Sequence, residues 1–179
     1  MNGDALTFGS SPYLCMMGLL LFGRAADFLS TWVATPKLLL EGNPVAKKLG
    51  WKLGGVVNLA LCVGLAFWPA TALAAVTASL LVAAHNFHLA WLMRSMGEEA
   101  YGLWFQQRVA EGRLPMQIIC LLGETGATAL VGVALLCWCP EESKAFAIGC
   151  GIVAYAFIVL FYTSLSLWRL RRHADSGQN

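Results

Sequence analysis

Residues 13 to 33 read YLCMMGLLLFGRAADFLSTWV, an apolar run interrupted late by Arg24, Asp27, Ser30 and Thr31. At about 1.5 Å rise per residue, a helical run of this length crosses the ~30 Å hydrocarbon core of a bilayer. A charge inside such a span costs about 3 kcal/mol or more, so it faces protein or water and marks a functional position by default. The run therefore decides the fold class, and its polar patch is the first candidate site.

Composition agrees. The chain has 179 residues, 58% hydrophobic and 12% charged, against roughly 25% charged in a soluble domain. An all-α, polytopic transmembrane helical bundle is expected. Further apolar runs lie at 53–67, 71–93, 115–137 and 145–168, giving five spans. They are separated by Thr35-Pro36, by Trp68-Pro69 with Thr71 as the expected N-cap of the third span, by Pro115, and by Cys139-Pro140. Between the third and fourth spans, Met96, Ala100, Leu103 and Trp104 recur at helical spacing among charged residues. Residues 95–110 are thus expected to lie as an amphipathic helix at the membrane surface. Residues 1–172 form one domain and 173–179 a flexible tail. No basic n-region or cleavage pattern marks a signal peptide, and a net charge of +2 gives no footprint for nucleic acid.

Counting bases orients the chain. With the N-terminus outside and the C-terminus cytoplasmic, Lys37, Lys47, Lys48, Lys52, Arg94, Arg108, Arg113, Arg169, Arg171 and Arg172 fall on the inner side and Lys144 alone on the outer. This is the positive-inside pattern of a multi-pass protein of the cell membrane. Trp51, Trp91 and Trp168 at inner ends, with Trp68 and Trp138 at outer ends, agree as an aromatic belt.

The same topology gives each intramembrane polar residue a depth from the inner face. Asp27 lies about 12 Å in, Asn58 about 9 Å, His85 about 12 Å, His88 about 8 Å and Glu124 about 14 Å. Four helices thus bring polar groups into one layer. Thr31 shares a face with Asp27, Thr128 with Glu124, and His85 with His88; Tyr162 and Thr163 are within reach of the layer. One reading is a metal or acid/base centre in which Asp27, His85, His88 and Glu124 hold zinc or iron, a divalent metal suited to carboxylate and imidazole ligands. Asp27 and Glu124 would then be the catalytic groups, with Arg24, Thr31 and Asn58 binding substrate. The other reading is structural: Arg24 and Asp27 neutralise each other at i, i+3, and His85, Asn86 and Glu124 hydrogen-bond the helices together. Gly123, Gly126, Ala127 and Gly132 on the fourth span are expected to permit close helix packing, and Glu98 and Glu99 to form a solvated face.

Leu40-Glu41-Gly42-Asn43-Pro44 is either ordinary turn chemistry or a flap whose Glu41 and Asn43 close the site and contact substrate from the cytoplasmic side. Asp27-x-x-Ser30-Thr31 followed by Glu41-x-Asn43-Pro44 resembles the signature of an uncharacterised family of small integral membrane proteins in archaea and bacteria. The resemblance covers residues 20 to 50. It implies that Asp27, Thr31, Glu41, Asn43 and Pro44 are signature positions, and it implies no activity.

Three functions fit these features: an enzyme acting on a lipid or lipid-linked substrate, a non-catalytic subunit or assembly factor for a membrane protein partner, and a small transporter or channel. The last lacks the paired broken helices and internal repeat that such folds carry.

Overall fold

The computed structural model describes residues 5 to 176, with side chains through Arg172. It is all helical: α1 (Ser11–Ala34), α2 (Pro44–Leu65), α3 (Pro69–Met96), α4 (Glu98–Glu111), α5 (Leu114–Trp138) and α6 (Lys144–Ser176). Four of these helices begin with a proline in the first two positions, where its fixed φ suits the helix and its missing N–H is not needed. Five helices, all but α4, are long and apolar enough to cross a membrane. Their surfaces expose Phe22, Trp32, Leu130 and Phe157, a spread that would be an aggregation hazard in water and is the natural face toward lipid. The chain is an integral membrane protein of the multi-pass class.

Three boundaries differ from those expected. The second helix starts at Pro44, not near residue 53, because the Asn43 side chain accepts the Val45 and Ala46 N–H groups as an N-cap. It then breaks at Gly50, whose φ of 64° is one that glycine adopts without strain. The third helix starts at Pro69 with Trp68 in the N-cap position and no side-chain cap, so Thr71 lies within its first turn. Proline at the helix start overrides the hydroxyl signal. The helix of α6 continues to Ser176, and residues 177–179 of the expected tail lie outside the described residues.

The helices stand in a row. The first helix packs on α3, α3 on α6 and α6 on α5, while α2 touches α1 and α3 lightly and α4 lies across α3 and α6. Glycine sets the two closest seams. A β-carbon on Gly151 of α6 would meet the Ala74 carbonyl of α3 at 2.5 Å, and one on Gly132 of α5 would meet the Gly149 carbonyl of α6 at 3.0 Å. Small residues at interfaces are how membrane helices approach without a hydrophobic driving force. Gly123 and Gly126, expected in the same role, face open space.

At the end bearing the α2–α3 turn, Tyr13, Leu20, Cys62, Ala66, Ala72 and Val76 form a buried cluster, and the Tyr13 hydroxyl donates to the Val63 carbonyl at 3.1 Å. This cluster fixes α1, α2 and α3 at one end. The polar residues occupy the other half.

Candidate functional site

Arg24 is the centre of the first site. Its Nε donates to Asn58 Oδ1 of α2 at 2.7 Å, and its Nη1 donates to Ser79 Oγ of α3 at 3.1 Å. The same Nη1 lies 2.9 Å from Asp27 Oδ2, one turn on along α1. Asn58 is oriented for this by donating its own Nδ2 to the Gly54 carbonyl at 2.8 Å. Three helices thus converge on one guanidinium, and Nη2 carries none of these bonds. Asp27 is the more enclosed partner, its side chain 16% exposed against 34% for Arg24.

One turn deeper toward the loop, Asn86 of α3 donates to Ser30 Oγ and Thr31 Oγ1, each at 3.3 Å. Ser30 in turn donates to the Asp27 carbonyl at 2.8 Å. The backbone that carries Asp27 is therefore held by α3 as well as by its own helix.

The loop after α1 folds back over this end. Glu98, the first residue of α4, accepts from Thr35 Oγ1 at 2.7 Å and from the Lys37 and Leu39 N–H groups at 2.9 and 3.2 Å. Trp51 Nε1 donates to the Pro36 carbonyl at 2.9 Å, and Gly42 lies close to Ser166 of α6. The expected solvated role for Glu98 gives way to this knot. Burial raises the Glu98 carboxyl, and the hydrogen bonds from Thr35, Lys37 and Leu39 outweigh it, leaving it below the ordinary value.

Glu41 lies within the folded loop and accepts the Asn43 N–H at 2.8 Å. Burial pushes its carboxyl up. The Asn43 bond opposes this, the negative charge of Asp27 adds to it and Lys47 opposes it, and the result is a raised value. Glu41 thus lies within electrostatic reach of Asp27. Asn43 has its side-chain Oδ1 on the α2 N-terminus, where it acts as a cap.

The second site lies on the far side of α3. His85 Nδ1 is 3.3 Å from Glu124 Oε1 of α5, and its ring meets the Tyr155 ring of α6 edge-on at 6.5 Å. The pair bridges two helices whose backbones do not approach closely among the described residues.

The expected four-ligand metal set does not assemble. Among the described residues no group of three or more His, Cys, Asp or Glu side chains is placed to hold a metal ion. The reason is azimuth. Successive residues of a helix point about 100° apart, so α3 turns His85 toward α5 while Asn86 meets α1. The first and fifth helices lie on opposite sides of the α3–α6 pair and do not touch. Asp27 is committed to Arg24 and Glu124 to His85, while His88 is exposed. Tyr162 and Thr163 make no hydrogen bond to either cluster among the described residues. Of the expected substrate-binding residues, Arg24 and Asn58 meet in one site with the expected catalytic Asp27, Thr31 borders it through Asn86, and Glu41 lies in the loop within electrostatic reach of Asp27. Ser79 was not singled out in the sequence; a lone serine in an apolar run carries no signal until its partner is known.

No known protein family, curated protein or solved structure matches this chain.

Proposed function

We propose that this integral membrane protein acts on the polar part of a lipid or lipid-linked substrate, with Asp27 as the acid/base group and Arg24 binding the substrate's anionic portion. The observation that carries the reading is the convergence of Asn58, Ser79 and Asp27 on Arg24 inside apolar spans. A charge that merely needs neutralising is satisfied by its neighbour at i, i+3. Here two further helices contribute side chains to aim the guanidinium, and Nη2 remains for a ligand. Glu41, within electrostatic reach of Asp27, supplies a second carboxyl through which a proton can reach the loop.

The orientation belongs to the same proposal: N-terminus outside, C-terminus cytoplasmic, in the cell membrane, with the site in the inner half. Its support is the placement of Lys37, Lys47, Lys48, Arg94, Arg171 and Arg172 at one end of the bundle. Asp27, Ser30, Thr31, Glu41, Asn43 and Pro44, the positions of the resembled family signature, are read as one functional unit, with Thr31 and Asn43 holding its walls.

The test is reconstitution of the full chain with a total lipid extract, following each lipid species by mass spectrometry. A species whose mass changes with the wild-type protein and not with Asp27→Asn is the expected result. Lipid masses that the wild-type protein leaves unchanged, together with a stable protein partner recovered on purification, would favour the subunit reading instead.

A further inference from the structure

At the basic end of the bundle, a groove of about 530 Å³ opens between α5 and α6. Leu114, Ile118, Leu160 and Leu167 contribute to its apolar walls, and Arg171 and Arg172 line its basic end. Along α6 the distance from Leu160 to Arg171 is about 17 Å, close to the thickness of one leaflet of hydrocarbon. The groove is thus one leaflet deep and has cationic groups where headgroups lie.

Its two arginines have unmet requirements. Arg171 Nη2 donates to the Val109 and Gly112 carbonyls and to Gln117 Oε1 at 3.3, 2.8 and 3.2 Å. Its Nε is buried and has no acceptor among the described residues. Arg172 lies over the Trp168 ring at 5.4 Å and has no carboxylate partner among the described residues. No acidic side chain lines the groove. A phosphodiester would supply the missing charge, and basic pockets between membrane helices bind anionic headgroups in this way.

We propose that the α5–α6 groove is a binding site for an anionic phospholipid, with an acyl chain between the two helices and the phosphate on Arg171 and Arg172. The site is separate from the Arg24–Asp27 cluster and does not depend on the function assigned to it.

Native mass spectrometry of the full-length protein in detergent, with equimolar phosphatidylglycerol and phosphatidylcholine of the same acyl chains, tests this. The wild-type protein retains phosphatidylglycerol in preference. Arg172→Gln lowers that preference about fivefold, the worth of one basic residue at an anionic surface. Ser164→Trp fills the groove without changing charge and reduces the retained lipid. Arg171 is left intact in both variants because it also holds the end of α4. Equal retention of the two lipids by the wild-type protein overturns the proposal, as does retention that either variant leaves unchanged.

Discussion

Arg24 and Asn58 are joined by a 2.7 Å hydrogen bond from Nε to Oδ1, across α1 and α2, which touch only lightly. The second helix is held at its other end by Cys62 and Ala66 in the apolar cluster. Near the polar end, Arg24 ties it to α1 alongside the packing of Phe28 on Trp51 and Gly54. The same guanidinium neutralises Asp27, so position and charge are settled by one side chain.

Replacing Arg24 by leucine therefore removes a tie and leaves Asp27 unpaired. Breaking a buried pair costs about 3–5 kcal/mol; with Arg24 a third exposed, about 2 kcal/mol is expected after allowing for screening. The Arg24→Leu/Asp27→Leu double variant should recover part of that loss. A double-mutant cycle read by reversible unfolding in mixed micelles checks this, and strictly additive losses would mean that the two charges do not interact.

The loop over the site responds to acid in two opposite senses. Glu98 has a folded value below its ordinary 4.5, so its stabilisation is full above that value and lost as pH falls through the folded one. Glu98→Gln should loosen the loop at neutral pH. Hydrogen exchange at the Lys37 and Leu39 amides measures it, with faster exchange in the variant and in the wild-type protein below pH 4.5.

Glu41 carries the reverse sign. Its folded value is raised above 4.5, so its contribution is favourable below that pH and is lost as pH rises through the folded value. Glu41→Gln keeps an acceptor for the Asn43 N–H and removes the cost of a half-buried charge. It should slow exchange in the loop at neutral pH and have no effect in acid. Faster exchange at neutral pH would show that the carboxylate itself holds the loop.

Helix seams give an independent test of the fold. Alanine at Gly132 forces a β-carbon into the 2.8–3.1 Å shell of Val153, Gly149 and Ile152, and overpacking of this kind costs about 1–3 kcal/mol. Alanine at Gly123 or Gly126 meets open space and should be neutral or slightly stabilising by helix propensity. Equal effects at the three positions would contradict the way α5 faces α6.

How much of this was legible in the sequence differs between fold and site. Span number and order followed from hydropathy and length, because the bilayer thickness imposes both. Local geometry was harder to see: nothing in Gly50 announces a positive φ, and the Asn43-Pro44 pair reads as a turn until a helix follows it. Depth arithmetic brought Asp27, Asn58, His85 and Glu124 to one level, yet it cannot say which neighbour a helix face meets. That depends on the order of helices in the row, and placing α3 between α1 and α5 divided one expected layer into two sites. Glu98 reads as a solvated residue in the sequence because its partners Thr35, Lys37 and Leu39 lie 63, 61 and 59 residues away in the chain.

The dispersal of the expected metal ligands has its own consequence. His85 and Glu124 should couple as an interhelical pair by about 0.6 kcal/mol, the usual size in membrane bundles. A chelator should leave the unfolding transition where it is; a chelator-induced drop, restored by zinc or iron, would reinstate a metal at this layer.

The central claim is that Asp27 performs chemistry and is more than a counter-ion. Asp27→Asn keeps the side chain's size and its capacity to accept from Arg24, so the fold should persist with a modest loss of stability. The decisive measurement is lipid conversion by reconstituted Asp27→Asn protein whose folding has been verified by its unfolding transition. The account predicts a folded protein with conversion abolished. A folded variant that converts the same lipid at the wild-type rate would contradict it and make the Arg24–Asp27 pair structural.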